Sequence, residues 1–143
     1  MRVGVLGTGI VGRSHAAKLA ELGHEVVMGT KNVEKTMAED KPDQMGNPPF
    51  SVWHKDNPKV KLGTFVEAAK HGEIIWEALH GSIAVEIVKS LETSLAGKIL
   101  IDIANPLDFS KGMPPSLFIS NTDSLGEQIQ LALPKVKVVK SFN

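Results

Sequence analysis

The sequence predicts a doubly wound α/β fold, a parallel sheet of about six strands in the order 3-2-1-4-5-6 with helices on both faces. Three observations carry this expectation. Short apolar segments alternate with segments of helical periodicity along the chain, a pattern that gives right-handed βαβ units. The turn Gly7-Thr8-Gly9-Ile10-Val11-Gly12 lies between the first strand and the first helix, the context in which G-x-G-x-x-G carries structural meaning. Lys98-Ile-Leu-Ile-Asp-Ile103 is almost continuously apolar, as a strand covered on both faces should be.

Taken in order, Arg2-Val-Gly-Val-Leu6 reads as a short buried strand running straight into the glycine turn. There Gly7 allows the tight turn, Gly9 lets backbone amides approach a pyrophosphate, and Gly12 lets the helix pack closely on the strand. The helix N-terminus adds a partial positive charge and unpaired amides. Residues Gly7, Thr8, Gly9, Ile10, Val11 and Gly12 are therefore candidate contacts to a dinucleotide. Helical periodicity over Arg13 to Leu22 places Val11, His15, Leu19 and Leu22 on one face, so His15 reads as a structural histidine. Gly23 is a C-cap, and His24-Glu-Val-Val-Met28 is the second strand.

The tip of that strand bears on cofactor choice. An NAD site places an Asp or Glu about 20 residues beyond the glycines to hold the ribose 2′-hydroxyl. Here the chain reads Gly29-Thr30-Lys31-Asn32-Val33-Glu34-Lys35, without an acid at the tip. Asn32 is a good N-cap, which puts Lys35 in the first turn of the next helix against the macrodipole, at a cost of a few tenths of a kcal/mol. One reading is two solvated lysines in a turn. The sharper one is a 2′-phosphate clamp of the Thr30 hydroxyl, Lys31 and Lys35 at that helix N-terminus, and it selects NADP(H) over NAD(H). The same cluster disfavours a domain for another nucleotide such as S-adenosylmethionine.

These residues resemble the NADP-binding part of coenzyme F-420 (deazaflavin)-dependent NADP oxidoreductases, within the 6-phosphogluconate dehydrogenase-like Rossmann superfamily. In that family a small hydroxyl residue and a basic residue follow the second strand, with a lysine one helical turn later; Thr30, Lys31 and Lys35 fall on those positions. The resemblance extends to Ile101-Asp-Ile-Ala-Asn-Pro106 and to Val138-Val-Lys-Ser-Phe-Asn143. It implies hydride transfer between NADP(H) and a flavin or deazaflavin as second substrate, and a further downstream segment that helps wall that substrate. The alternative is a non-catalytic NADP(H)-binding or redox-sensing module.

Beyond Asn32, a second helix starts and soon fails near Met37. Lys41 to Pro58 holds Pro42, Gly46, Pro48, Pro49 and Pro58 and is expected to be irregular, with Phe50 and Trp53 either pinning it to the body or forming a flap or partner contact. Val60-Lys-Leu62 is a short third strand, Phe65 to His71 a helix, and Glu73 to Leu79 the fourth strand. His80-Gly-Ser82 opens a helix to about Leu95 whose buried stripe is Ile83, Ile87, Val88, Leu91 and Leu95. Lys98 to Ile103 is the fifth strand. Ser124-x-x-Glu127 is a capping box opening the last helix, Pro134 ends that helix, and Val136 to Val139 is the last strand. Its Lys135, Lys137 and Lys140 read as solvated. Ligands of such sheets lie beyond the carboxyl ends of the strands, which adds Ala78, Leu79, His80, Ala104, Asn105 and Pro106 to the candidate contacts. His80 reads first as a turn residue, and Asn105 as a hydrogen-bonding partner for the nicotinamide ribose or amide. Asp102, inside a buried strand, reads as a hydrogen-bonded structural carboxylate.

A chain of 143 residues suits one NAD(P)-binding domain over 1–143. Sixteen basic and sixteen acidic residues leave no net charge, and nothing points to nucleic acid or an anionic membrane. Cysteine is absent, which excludes disulfides and thiolate chemistry and fits a cytoplasmic setting. No apolar run approaches the roughly 20 residues needed to span a bilayer, and Gly7-Thr8-Gly9 breaks the first one, unlike a signal peptide. No Ser/His/Asp set, paired carboxylates or metal-ligand spacing stands out. Hydride transfer to a flavin-like ring needs orientation and water exclusion, whereas an alcohol dehydrogenase needs a proton-transfer residue. The chain alone is expected to bind NADPH but to turn it over poorly, with homo-oligomer contacts or downstream residues completing the site around a small-molecule hydride acceptor.

Overall fold

The computed structural model describes residues 1–43 and 45–142, so the final residue of the Val138 to Asn143 stretch, and Gln44 within the proline-rich segment, lie outside the described residues. Strands β1 (Arg2–Leu6), β2 (Glu25–Thr30), β3 (Lys61–Thr64), β4 (Ile74–Glu77), β5 (Ile99–Asp102) and β8 (Lys137–Lys140) form one sheet. All its pairs are parallel, in the order β3-β2-β1-β4-β5-β8. Between β5 and β8 the short strands β6 (Leu107–Asp108) and β7 (Ser116–Leu117) make a separate antiparallel pair, which the sequence reading did not anticipate. With that pair set aside, the sheet has the expected doubly wound order.

The pleat sorts alternate residues into two cores. Val3, Val5, Val26 and Met28 face one side, with Ala16 and Ala20 of α1 (Ile10–Glu21) and Phe50 of α3 (Phe50–Asp56). Leu6, Val27, Ile75 and Leu100 face the other. There they meet Ala68 and Ala69 of α4 (Phe65–His71), Ala84 and Val88 of α5 (Gly81–Ser90), Leu95 of α6 (Glu92–Leu95), and Leu125 and Ile129 of α7 (Leu125–Ala132). Helices thus lie on both faces. The remaining helix, α2 (Val33–Ala38), buries no residue. Among the described residues no helix is long and apolar enough to cross a membrane.

Several expectations change in detail. The buried face of α1 is Gly12, Ala16 and Ala20, whereas Val11 and Leu22 are exposed. The glycine turn draws the helix so close to the sheet that only small side chains fit at i, i+4 and i+8. His15 is half-buried, accepting at Nδ1 from Trp76 Nε1 at 3.2 Å. The helix closes as expected at Gly23, whose N–H donates to Ala20 O while that of His24 donates to Leu19 O, a Schellman ending.

The 41–58 segment is not wholly irregular, since α3 begins directly after Pro49. A proline at a helix start forfeits no intrahelical bond. Phe50 is 1 % exposed, and burying such a side chain contributes about 1.5–3 kcal/mol, enough to hold a seven-residue helix against the body. Trp53 packs on the same cluster, so both aromatics anchor the segment.

The helix expected to run to Leu95 breaks at Leu91 into α5 and α6. In α5 the buried residues are Gly81, Ala84 and Val88, and Ile83 is exposed because Gly81 seats the first turn on the Asn105 backbone: a Cβ there would lie 2.7 Å from Asn105 O. At α7 the Ser124 Oγ accepts from Glu127 N and donates to Glu127 Oε2. Ser124 N donates to Asp123 Oδ1 instead of to Glu127, so the box closes through the hydroxyl. Lys140 is exposed, as expected, but it also has partners: its Nζ lies 3.4 Å from Asp102 Oδ1 and donates to Ala104 O.

Candidate functional site

The site is built on the carboxyl ends of β1, β2, β4 and β5. Gly7 closes β1 with φ +110°, a conformation that only glycine adopts readily, and its N–H donates to Gly29 O at 3.1 Å. A Cβ on Gly7 would lie 2.6 Å from Ala78 O, and one on Gly12 would lie 2.6 Å from Gly7 O. The turn, the end of β4 and the first turn of α1 are thus in backbone contact. Helix α1 starts inside the motif, with Gly9 as an N-cap that makes no side-chain bond. That leaves its first-turn amides to a ligand or solvent, and a Cβ on Gly9 would meet nothing within 4 Å.

Two cavities flank this turn. One of about 500 Å³ opens between Gly7 to Gly9, Thr30, Lys31, Phe65 and Ile83. The other, about 320 Å³, lies among Ile10, Val11, Ile103, Ala104, Asn105 and Phe109. Both are lined by Gly9, Ala78, Leu79 and His80, so they are two ends of one groove past the glycine turn. Twelve of the sequence-predicted contacts border it: Gly7, Thr8, Gly9, Thr30, Lys31, Ala78, Leu79 and His80 at the first end, and Ile10, Val11, Ala104 and Asn105 at the second. Gly12 lies beneath it, buried in α1. Lys35 lines neither end and stands exposed on α2. Pro106 is buried, facing a separate cavity with Ser124 and Lys140.

At the Thr30 end, Asn32 caps α2 as expected, its Oδ1 accepting from Lys35 N at 2.8 Å. Thr30 is 8 % exposed, and its Oγ1 lies 2.8 Å from Thr36 Oγ1. One of the two hydroxyl protons is used in that bond; the other remains for an acceptor. Thr36 has no sequence signal beyond its place one turn into α2. At the centre His80 caps α5: its Nδ1 accepts from Ser82 N at 3.4 Å and lies 2.8 Å from Ser82 Oγ. This is the turn role read from the sequence.

Two features escaped the sequence. Arg13 Nε donates to Thr8 O at 2.7 Å, its Nη1 donates to Pro48 O, and the guanidinium lies 5.5 Å from the Phe50 ring centre. It braces the glycine turn against the proline-rich segment. The other is a carboxylate pair where none was expected: Glu77 of β4 is in register with Asp102 of β5, both fully buried. Glu77 Oε1 accepts from Leu79 N at 2.7 Å, and Asp102 Oδ1 from Ala104 N at 2.9 Å. Burial, reinforced by the neighbouring Asp102, pushes the Glu77 carboxyl up to about 8 despite the Leu79 N–H bond and the Lys140 charge.

Fold and groove together define a Rossmann-like α/β fold with an open groove at the carboxyl ends of its strands. The chain belongs to the coenzyme F420-dependent NADP oxidoreductase family, whose model matches residues 2–106. It is similar to the F420-dependent NADP reductase of Methanothermobacter marburgensis, 30 % identical over 113 residues that cover 78 % of this chain and 48 % of that protein. It is also similar to the metalloreductase STEAP3 of Rattus norvegicus, 29 % identical over 99 % of this chain and 24 % of the relative. Among solved structures, a candidate F420-dependent NADP reductase of Arthrobacter sp. FB24 superposes with a TM-score of 0.92 at 49 % identity, over 100 % of this chain and 63 % of that one. The chain thus spans less than two thirds of each of these relatives.

Proposed function

We propose that this chain is the nucleotide-binding part of an oxidoreductase that transfers hydride between NADP(H) and a deazaflavin, coenzyme F420 or a flavin related to it. The observation that carries the reading is the groove from Thr30 and Lys31, past the glycine turn, to Asn105, in a chain whose family is F420-dependent. The nicotinamide supplies the hydride. The residues here bind and orient: the amides after Gly9 take the pyrophosphate, Lys31 and the Thr30–Thr36 hydroxyl pair take the 2′-phosphate, and Asn105 faces the nicotinamide end. Lys35, exposed on α2, reaches the same phosphate only by extending over the surface.

The second end of the groove is bordered by Ile10, Val11 and Phe109, each about half exposed, an apolar wall suited to a planar ring. Hydride transfer needs donor and acceptor about 3–3.5 Å apart with water excluded, an arrangement that can lower the barrier by roughly 7–11 kcal/mol. A wall this open supplies orientation but little exclusion. Homo-oligomer contacts or further residues of a longer chain therefore complete the site, in a cytoplasmic setting.

Steady-state NADPH oxidation with F420, flavin mononucleotide and riboflavin, run beside gel filtration, tests the reading. The 143-residue chain should give slow, poorly saturable turnover. Rapid saturable turnover by a strict monomer would show that the second half of the site is misplaced here. Absence of NADPH-to-F420 transfer in a longer natural polypeptide carrying this chain would overturn the oxidoreductase reading.

A further inference from the structure

We propose that Glu77 and Asp102 share one proton across the junction of β4 and β5, and that this acid pair positions the two turns walling the second end of the groove. The proposal goes beyond the nucleotide reading, and only its last consequence rests on it.

The register places the two residues opposite each other, on the pleat face that also carries Ile75 and Leu100. Each carboxylate uses one oxygen to hold the turn that follows its own strand, Glu77 at Leu79 N and Asp102 at Ala104 N. The other oxygens, Glu77 Oε2 and Asp102 Oδ2, are buried without a hydrogen-bond partner among the described residues. An unsatisfied buried carboxylate oxygen is costly, and two adjacent ones more so. A single proton on Glu77 Oε2, donated to Asp102 Oδ2, satisfies both at once and leaves one net charge instead of two, the arrangement by which like carboxylates share a confined site. The same bond joins the turns at Leu79 and Ala104, and both of these residues line the groove.

The charged neighbourhood supports one proton. Lys140 of β8 lies 3.4 Å from Asp102 Oδ1, a single cation for the single anion left. Leu6, which pairs Glu77 from β1, is apolar. A Cβ on Gly126 of α7 would lie 3.4 Å from Asp102 Oδ2, so that helix covers the pair with a residue lacking a side chain. Of the titratable groups of α4, α5 and α7, Glu67, Lys70, Glu86, Lys89 and Glu127 are exposed, as is His80 at the α5 cap, and His71, half-buried at the end of α4, has its Nε2 3.0 Å from Glu25 O. The upward displacement of the Glu77 carboxyl, to about 8, agrees with a proton retained at neutral pH.

The backbone amides of Leu79 and Ala104 report the pair directly. In the ligand-free chain, their ¹H–¹⁵N resonances should move together between pH 6 and 10 with one common midpoint near 8. Glu77→Gln keeps the acceptor for Leu79 N and puts a permanent donor toward Asp102, so both steps should vanish. Asp102→Asn offers Glu77 an amide donor in place of an anion, so the Leu79 midpoint should fall by about two pH units or more. Amides without a step between pH 6 and 10, steps with separate midpoints, or a step that persists in Glu77→Gln would each overturn the pair. If one variant fails to fold, the wild-type titration and the other variant still decide. With NADPH present, wild-type affinity should weaken about tenfold from pH 7 to pH 9.5, while that of Glu77→Gln stays level. Failure of NADPH to bind at any pH would count against the nucleotide reading and leave the amide titration to judge the pair.

Discussion

Gly7→Ala is expected to lower folding stability by about 2–4 kcal/mol and NADPH affinity by about a hundredfold. Two independent effects add at this position. The backbone stands at φ +110°, where a side chain is strained, and the new methyl would lie 2.6 Å from the Ala78 carbonyl oxygen. Relief of that clash must push β1 away from the end of β4, and those strand ends carry both sides of the groove. Gly9→Ala is the contrasting substitution. Its methyl meets no protein atom within 4 Å, so stability should change by less than about 1 kcal/mol, yet the methyl fills the space through which a phosphate reaches the first amides of α1. Urea unfolding and NADPH titration of both variants test this. A Gly7→Ala protein that retains wild-type stability and binding would show that the turn is not the rigid anchor described here.

Raising the pH from 5 to 9 is expected to cost on the order of 2–5 kcal/mol of folding stability through Glu77 alone. Its carboxyl titrates at about 8 in the folded protein against 4.5 when unperturbed. Between those values the folded chain holds a proton that the unfolded chain releases, so the contribution is complete below about pH 4.5 and is lost as pH rises through about 8. The carboxyls of Asp43, Glu67, Glu73 and Asp108 are displaced downward by hydrogen bonds, from Asn47, Thr64, Arg2 and Ser110 respectively. Their contributions have the opposite sign and are lost only in acid, so they do not mask the alkaline slope. Urea midpoints at pH 5, 7 and 9 should fall in sequence for the wild type and much less for Glu77→Gln. A wild-type midpoint that rises toward pH 9 would contradict the burial of a protonated Glu77.

The sheet order was legible because each strand is a local apolar run and each connection a local helical one. The glycine turn was legible because its residue types are demanded by backbone geometry, and the bounds of β1 and of α4 follow the residues closely. What failed depended on contacts between distant segments. The face of α1 turned from Val11 and Leu22 toward Ala16 and Ala20, with Leu19 still packed at its edge, because Gly12 meets the Gly7 backbone, a distance that helical periodicity does not encode. Helix α3 was hidden behind Pro48 and Pro49, since its helicity depends on where Phe50 finds a core. The β6–β7 pair is too short to leave a pattern. Glu77 and Asp102 stand on separate strands and become neighbours only once the β4–β5 register is known, and Lys140 joins them only through β8. In the groove, the sequence marked Thr30 and Lys31 by the missing acid at the β2 tip, but gave no sign that Thr36 shares the Thr30 hydroxyl or that Arg13 braces the turn.

The central claim is that the groove holds a 2′-phosphorylated dinucleotide, with Lys31 at the phosphate. Parallel fluorescence titrations of NADPH and NADH against the wild type and Lys31→Ala measure it directly. The account predicts tighter binding of NADPH than NADH in the wild type by about 1–3 kcal/mol, and a Lys31→Ala protein that loses most of that difference while its NADH affinity stays nearly constant. Equal affinity for the two cofactors in the wild type, or an equal loss for both in Lys31→Ala, would contradict it.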